Sequence, residues 1–375
     1  MSIPEFAITR RGALAVGAGA VIGGLGLSRT AQAAPESKPV KLTPAQRAGQ
    51  RVIFSYPGAT PPASLLDQIS AGQAGGVIFV GENIKSLTQI AGVVAQLNEA
   101  HAASPVNSPL LLMTDQEGGI VRRLPGEPAA SEKQVGESAD PGAEAAAAGT
   151  GAGKNLAGVG MNTNLAPVLD VYRQAGNFDD EFGRSYSMDP NVCAECGAAM
   201  ITAQQKLNIA ATAKHFPGLG AATVDQNTDL GPVTLDVPLA DLRSIDERPF
   251  RAAIAAGVRM VMTSWAVYPA LDPRLPSGLS PTIVGGELRQ RLKFRGVTIT
   301  DALEAGAIAS FGTPAQCSVL AAQAGIDVLL CSARDVSEGQ DTVAALADAL
   351  QHHALDPGHF EIALRRVLAL RNRLA

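Results

Sequence analysis

The chain has 375 residues, of which 46% are hydrophobic, 17% charged and only 4% aromatic. That composition is typical of a globular protein, and the length suits one large α/β domain or two small ones. The formal net charge is −5 at pH 7. No cluster of Lys and Arg is dense enough to line a phosphate backbone, which argues against nucleic acid as a partner.

The first 33 residues have the pattern of an export signal. Arg10-Arg11 precedes an apolar run over residues 12–27, and Ala31-Gln32-Ala33 has the small residues of a cleavage site. Paired arginines ahead of a weakly hydrophobic run predict twin-arginine export. A membrane anchor is the alternative, but six of the 16 residues in the run are glycine. We predict a secreted protein without a stable anchor, with a signal over 1–33, a flexible leader over 34–45 and one domain over 46–375.

From residue 42 onward, short apolar runs with strand character alternate with amphipathic helical stretches. Eight strands are predicted, over residues 52–56, 76–80, 110–115, 161–165, 209–215, 260–264, 297–301 and 328–331. Helices are predicted over 86–100, 142–153, 189–206, 242–256, 282–292 and 314–324. After the eighth strand–helix unit, one final helix is predicted over 357–374.

Strands that are apolar on both faces and separated by helices predict a parallel sheet covered by helices. Eight such units fit a single (β/α)8 TIM-type barrel of the α/β class. An open, doubly wound sheet is the alternative. It loses support because no Gly-x-Gly-x-x-Gly motif opens a first helix.

The four cysteines do not have the spacing of a disulfide scaffold or of a zinc site. Cys193 and Cys196 form a CxxC pair inside a predicted helix, and no second pair accompanies them. Cys317 and Cys331 are isolated. We expect these thiols to be mostly buried, and we expect no metal and no cofactor.

Charged residues end three of the predicted strands. The third strand ends in DQEGG (115–119), the fifth in KHFPG (214–218) and the seventh in Thr300-Asp301. A charge buried without a partner costs several kcal/mol, and the carboxyl ends of barrel strands meet on one face. Each residue alone has the alternative role of a helix N-cap. The three endings together predict a shared polar pocket.

These motifs resemble those of family 3 glycoside hydrolases, in particular the bacterial β-N-acetylhexosaminidase branch. APVLDV (166–171), GRSY (183–186) and VTITDAL (297–303) extend the resemblance, which covers residues 42–375. The resemblance implies a retaining exo-glycosidase that releases terminal β-linked N-acetylglucosamine from cell-wall or chitin-type glycans. It further implies a small carbohydrate as the substrate, and we expect a monomer.

The resemblance also assigns residues. Asp301 would be the nucleophile that forms a covalent glycosyl intermediate. Five residues match family positions that hold the terminal sugar, namely Asp115, Arg123, Arg184, Lys214 and His215. Two further interpretations come from position along the chain alone: Asp170, which ends the fourth-strand segment, would support the pocket from behind, and Trp265, which follows the sixth strand, would either stack on a sugar ring or pack in the barrel rim.

One departure from the family concerns the acid/base. The family branch has an Asp-x-His pair after the fifth strand, and Asn227 stands where that His is expected. An amide cannot transfer a proton near neutral pH, and general acid catalysis is worth about 10²–10⁴ in rate. We predict that a carboxylic acid of the same loop replaces it, Asp225 in the first instance, with Asp229 as the alternative.

Three other interpretations remain at this point. The acid could come from another loop, at Asp179, Asp180, Glu181 or Glu304. The protein could instead be a catalytically weak or inactive sugar-binding barrel, because the acid/base is altered. A β-glucosidase-type exo-glycosidase with the same nucleophile is the third.

Overall fold

The structure is a computed structural model and describes residues 41–375. Eight parallel strands close into a barrel, in which each strand pairs with its chain neighbours and the last pairs with the first. They are β1 (Val52–Phe54), β2 (Gly76–Ile78), β3 (Leu111–Thr114), β4 (Thr163–Asn164), β5 (Ala210–Phe216), β6 (Met260–Thr263), β7 (Val297–Ala302) and β8 (Val328–Leu330). The predicted (β/α)8 barrel is confirmed, and each predicted strand overlaps one barrel strand.

Helices alternate with the strands and cover the outside of the barrel. The α-helices are Pro44–Gly49, Ala63–Ser70, Leu87–Ala102, Glu132–Gly136, Pro141–Gly158, Phe178–Glu181, Pro190–Lys206, Leu239–Asp241, Glu247–Ala255, Pro314–Ala324, Val336–Gln351 and Pro357–Arg373. Leu242–Asp246 and Thr282–Arg291 are π-helical, and Gly81–Asn83, Ser277–Leu279 and Gly306–Phe311 are 3₁₀ turns. Each predicted helix is therefore present, although 282–292 has the wider π geometry. Among residues 41–375, no helix combines the length and the apolar character needed to cross a membrane.

Several of these helices begin with a polar cap followed by proline. The capping residue accepts a backbone N–H of the first turn, and proline fits there because it has no N–H to leave unpaired. The pairs are Thr43-Pro44, Asp140-Pro141, Asp189-Pro190, Thr313-Pro314 and Asp356-Pro357. The first of them starts a helix at Pro44, two residues before the predicted domain start. The predicted export signal and most of the predicted leader lie outside the described residues.

The interior of the barrel is apolar toward the amino ends of the strands. Side chains such as Ile53, Leu111 and Met260 pack there against Val367 and Leu370 of the final helix. The four cysteines are buried as free thiols, as expected. Apolar side chains therefore fill the barrel at the amino ends of the strands. The charged residues of the strands lie at the carboxyl ends.

Candidate active site

A cavity of about 490 Å³ opens at the carboxyl ends of the strands. Apolar side chains from inside the barrel contribute to its lining, namely Ile78, Leu165, Met262 and Leu330. Its polar lining includes Asp301 and all five residues predicted to hold the sugar, Asp115, Arg123, Arg184, Lys214 and His215. The fold therefore brings together side chains that lie far apart along the sequence.

The DQEGG motif forms a tight hairpin after β3. Gln116–Gly118 pairs with Val121–Arg122, and the two glycines have φ values of +128° and +56°, which side chains rarely adopt. A Cβ atom on Gly118 would lie 2.2 Å from the carbonyl oxygen of Ala130. The hairpin returns the chain so that the Arg123 N–H donates to the Asp115 carbonyl at 3.2 Å. Asp115 and Arg123, the two predicted sugar contacts of this hairpin, thus both line the cavity.

Glu117 links the two buried cations of the site. It accepts two hydrogen bonds from the Arg184 guanidinium, at 3.0 and 2.9 Å, and lies 2.7 Å from the Lys214 ammonium. Lys214 also contacts Asp115 at 2.7 Å. Burial alone would raise the pKa of Glu117, but Arg184 and Lys214 outweigh it and lower that pKa to about 2. No role for Glu117 was predicted from the sequence, although Glu117 belongs to the DQEGG motif.

The pKa of a second buried carboxyl group, Glu132, is shifted in the opposite direction from that of Glu117. Both oxygens of Glu132 lie 3.1 Å from the Val168 backbone N–H, and its exposed fraction is 2%. Burial, together with the charge of Glu117, raises the pKa of Glu132 well above its usual range. The raised pKa favours the protonated form of Glu132 and so limits the negative charge beneath the cavity. Glu132 was not predicted from the sequence to be part of the site.

Asp170 fixes the orientation of His215. One Asp170 oxygen lies 2.7 Å from His215 Nδ1, and the other accepts the N–H groups of His215 and Leu219 at 3.2 and 2.6 Å. Burial would lower the pKa of His215, but the charges of Asp170 and Asp301 outweigh it and raise that pKa. Asp170, which does not line the cavity, thus contacts His215 from behind, and the tautomer that fits this contact carries its proton on Nδ1.

Asp301 stands at the end of β7, with its side chain half-buried on the cavity wall. The Ala302 N–H donates to its Oδ1 at 2.8 Å, which orients the carboxylate. The indole N–H of Trp265 donates to the Ala302 carbonyl at 2.7 Å. Trp265 is only 1% exposed, so it packs in the barrel rim and holds the end of β7.

The loop after β5 brings Asp229, and not Asp225, to the cavity. Asn227, Thr228 and Asp229 line the cavity, whereas Asp225 does not, although both aspartates are exposed. The Asp229 carbonyl accepts the Gly306 N–H at 2.9 Å, which ties this part of the loop to the segment after β7. Asn227 Oδ1 accepts the Asp229 N–H at 2.8 Å. Burial, and then the charge of Asp301, raises the pKa of Asp229.

The other carboxyl groups considered from the sequence lie in different surroundings. Asp179 is fully buried without a hydrogen-bond partner, and burial followed by Asp170 raises its pKa to about 7. Asp180 pairs with Lys133 at 2.5 Å, and Glu181 is exposed. Of these groups only Glu304 lines the cavity, where it accepts the Ser332 hydroxyl at 2.7 Å.

Histidines, cysteines and carboxylates do not gather into a metal site within residues 41–375. The two carboxylates of the DQEGG motif, Asp115 and Glu117, form ion pairs with Lys214. The polar lining of the cavity consists of carboxyl groups, cations, an amide, hydroxyls and one oriented imidazole.

Comparison with known proteins assigns the family. Residues 54–370 match the family description "Glycosyl hydrolase family 3 N terminal domain". The chain belongs to glycoside hydrolase family 3. It is therefore a glycoside hydrolase, and its barrel is the one expected for this family.

Three similar proteins support the assignment. An uncharacterized secreted glycosyl hydrolase of Arthroderma benhamiae is 44% identical over 345 residues, covering 92% of this chain and 97% of that protein. β-Hexosaminidase A of Pseudoalteromonas piscicida is 30% identical, covering 89% of this chain and 62% of that protein. A Paenibacillus β-N-acetylglucosaminidase structure has a TM-score of 0.84 at 32% identity, covering 89% of this chain and 63% of that one. This chain thus spans less than two thirds of the latter two proteins.

Proposed function

We propose that this glycoside hydrolase is a retaining exo-glycosidase that releases terminal β-linked N-acetylglucosamine. One observation carries the proposal: Asp301 shares a single cavity with the charged cluster of Asp115, Arg184 and Lys214. The sugar is supported by the names of the Pseudoalteromonas and Paenibacillus proteins, a β-hexosaminidase and a β-N-acetylglucosaminidase.

In this proposal, the predicted contact residues hold the hydroxyls of one terminal sugar. One oxygen of Asp115 is bound to Lys214, which leaves the other oxygen for a sugar hydroxyl. Nε of Arg123 has no hydrogen-bond partner within the described residues. Hydrogen bonds to charged groups are about twice as strong as neutral ones, so such pairs can hold the sugar firmly over Asp301.

The reaction proceeds in two displacements. A carboxylate oxygen of Asp301 bonds to the anomeric carbon while the bond to the leaving oxygen breaks, and that oxygen takes a proton from the general acid. Water then attacks the anomeric carbon, the bond to Asp301 breaks, and the proton of the water returns to the same group. Two inversions at the anomeric carbon leave its configuration retained.

Asp229 is the proposed acid/base. It lines the cavity near Asp301, and its raised pKa keeps it protonated at a higher pH than an ordinary aspartate. Asp225, the first choice from the sequence, does not line the cavity. We therefore move the proposed role from Asp225 to Asp229.

An exo mode of action fits the shape of the cavity. Apolar residues from the barrel interior, such as Met262 and Leu330, line its inner end, so one sugar enters from the outer face. We further propose cell-wall or chitin-type glycans as substrates and export through the twin-arginine signal over 1–33. The Arthroderma relative, which is named as a secreted protein, supports export. The reaction needs two carboxyl groups and no cofactor.

Two alternative functions remain for this barrel. Asn227 in place of the family histidine favours a barrel that binds sugar but turns it over slowly. A β-glucosidase-type specificity would use the same nucleophile on a sugar without the acetamido group.

Aryl glycosides test the proposed function directly. We expect the wild type to hydrolyse p-nitrophenyl β-N-acetylglucosaminide, with much slower turnover of p-nitrophenyl β-glucoside, and Asp301→Asn to abolish activity. Full activity in Asp301→Asn would refute the proposed nucleophile. Calorimetric binding of N-acetylglucosamine oligomers without turnover would favour the sugar-binding alternative, and preference for the glucoside would favour the other.

A further inference from the structure

Two phenyl rings, those of Phe178 and Phe182, contribute to the lining of the catalytic cavity. Phe178 is 9% exposed, whereas Phe182 is 40% exposed. The apolar residues at the inner end of the cavity, such as Met262 and Leu330, are each 2% exposed. Phe182 therefore presents its ring at the outer mouth of the cavity, where a substrate extends beyond its terminal sugar.

The ring of Phe182 is held in a fixed position. It forms an edge-to-face pair with Phe178, with ring centroids 5.9 Å apart and an interplanar angle of 73°, an arrangement that stabilises aromatic pairs. The next residue, Gly183, has a φ of +64°, and its carbonyl accepts the Lys133 N–H at 3.2 Å. Arg184, which is proposed to hold the terminal sugar, follows directly. Phe182 thus stands two residues from a sugar contact.

The segment that carries Phe182 is also bound to the loop of the proposed acid/base. Asn177, which caps the helix Phe178–Glu181, donates its side-chain amide to the carbonyls of Gly220 and Ala222 at 2.9 and 3.1 Å. The same loop after β5 continues to Asp229 in the cavity lining. Because the leaving oxygen must contact the acid/base, the leaving group would lie on the part of the rim that these two segments form.

The chemistry of a phenyl ring limits what Phe182 can contact. It has no atom that donates or accepts a conventional hydrogen bond, so it contributes to binding by packing against an apolar surface. A pyranose ring offers such a surface on its C–H faces, while its hydroxyls lie around the edge. Single exposed apolar residues are common on proteins and need no ligand. Phe182 differs from them because it lines the cavity beside Arg184.

We propose that Phe182 is the platform of a leaving-group subsite, on which the second sugar of the substrate stacks. Phe178 supports the platform from the side, and Arg184 holds the terminal sugar next to it. Phe182 thereby determines specificity, since it favours leaving groups that contain a ring. This inference rests on the proposed function.

Three substrates with the same terminal sugar test the inference. They are the β-1,4-linked N-acetylglucosamine disaccharide, p-nitrophenyl β-N-acetylglucosaminide and β-N-acetylglucosaminyl fluoride, whose leaving group is a single atom. We expect Phe182→Ala to lower kcat/KM about tenfold for the two substrates whose leaving group has a ring. The value for the fluoride should change by less than about twofold, which also shows that the variant is folded.

Two further variants serve as controls. Phe182→Tyr keeps a six-membered aromatic ring and should retain the wild-type ratio between the disaccharide and the fluoride. Met188→Ala removes another exposed apolar side chain of the same segment, one that does not line the cavity, and should retain that ratio as well.

The outcomes separate this inference from the proposed function. If the wild type hydrolyses none of the three substrates, the proposed function fails. If it hydrolyses them and Phe182→Ala keeps the wild-type ratios, including an equal loss on all three, the platform is wrong and the proposed function stands. A loss confined to the disaccharide would also overturn the platform, because p-nitrophenol has a ring but needs little protonation, and would indicate a disturbed acid/base instead.

Discussion

Asp225 and Asp229 lie on one loop, yet their surroundings differ in the property that matters for catalysis. Asp229 lines the cavity near Asp301, and its backbone is bonded to Gly306 beyond β7. Asp225 does not line the cavity. An acid/base must contact the leaving oxygen and hold its proton at the working pH, and the place of Asp229 in the cavity lining and the upward shift of its pKa support it for the proposed role.

Replacing these two residues separately tests the assignment. Asp229→Asn should lower kcat/KM for disaccharides by about 10²–10⁴-fold, with a much smaller loss for aryl glycosides, whose leaving groups need little protonation. Because the acid must be protonated, activity falls as the pH rises through the raised pKa of Asp229, and this basic limb should disappear in the variant. Asp225→Asn is the matched control, and steady-state pH profiles are the measurement. An equal loss in both variants would reject Asp229.

At the scale of secondary-structure elements, the short helix Glu132–Gly136 holds together two parts of the site. Its Lys133 N–H donates to the Gly183 carbonyl at 3.2 Å, beside Arg184. A Cβ atom on Gly136 would lie 1.9 Å from the Tyr186 carbonyl oxygen, so the two segments are in close contact. Glu132 joins the same helix to the chain beyond β4. This helix therefore sets the distance between Arg184 and the barrel.

The raised pKa of Glu132 predicts a pH dependence of stability. Its pKa is raised in the folded protein, so the native state keeps a proton that the unfolded chain releases above its own pKa of about 4.5. Stability therefore falls as pH rises from that value toward the folded pKa, by at most about 1.4 kcal/mol per pH unit. Glu132→Gln, which is neutral at every pH, should lose less stability between pH 5 and pH 8 than the wild type. Urea unfolding at both pH values measures this, and identical pH slopes would contradict it.

The secondary-structure elements could be predicted from the sequence, because most barrel strands are short apolar runs and several helices begin with a polar cap and proline. Site residues could be predicted where a charged residue stands at the end of a strand, as at Lys214 and Asp301. Glu117 and Glu132 could not, because their states depend on partners distant in sequence, such as Arg184 and Val168. The contact between Asp229 and Gly306 is equally long-range.

The whole molecule is closed at the bottom of the barrel by its final helix, Pro357–Arg373. Val367 and Leu370 enter the apolar interior. Arg371 is fully buried and donates to the carbonyls of Ser108 and Pro109 at 2.6 and 2.7 Å, and it also bonds to Gln50. Burial lowers the pKa of Arg371 to about 9. One side chain thus joins the C-terminus to segments that precede β1 and β3.

Removal of Arg371 should therefore destabilise the entire barrel. Arg371→Ala removes a charged donor from three acceptors, the Gln50 side chain and the Ser108 and Pro109 carbonyls, and leaves a cavity in its place; we expect a loss of about 3–5 kcal/mol in the free energy of unfolding. Arg373→Ala, an exposed position in the same helix turn, should change it by at most about 0.5 kcal/mol. Urea denaturation of both variants is the measurement. Equal midpoints would show that the final helix does not hold the barrel closed.

The central claim is that Asp301 becomes covalently attached to the sugar, and trapping that intermediate tests it most directly. A fluorinated N-acetylglucosaminyl fluoride destabilises the oxocarbenium-like transition state and slows release of the intermediate. After incubation, mass spectrometry of the digested protein should locate one sugar adduct on the peptide containing Asp301, and the Asp301→Asn variant should carry none. A stoichiometric adduct on a different residue, or turnover of the reagent without any adduct, would contradict the account.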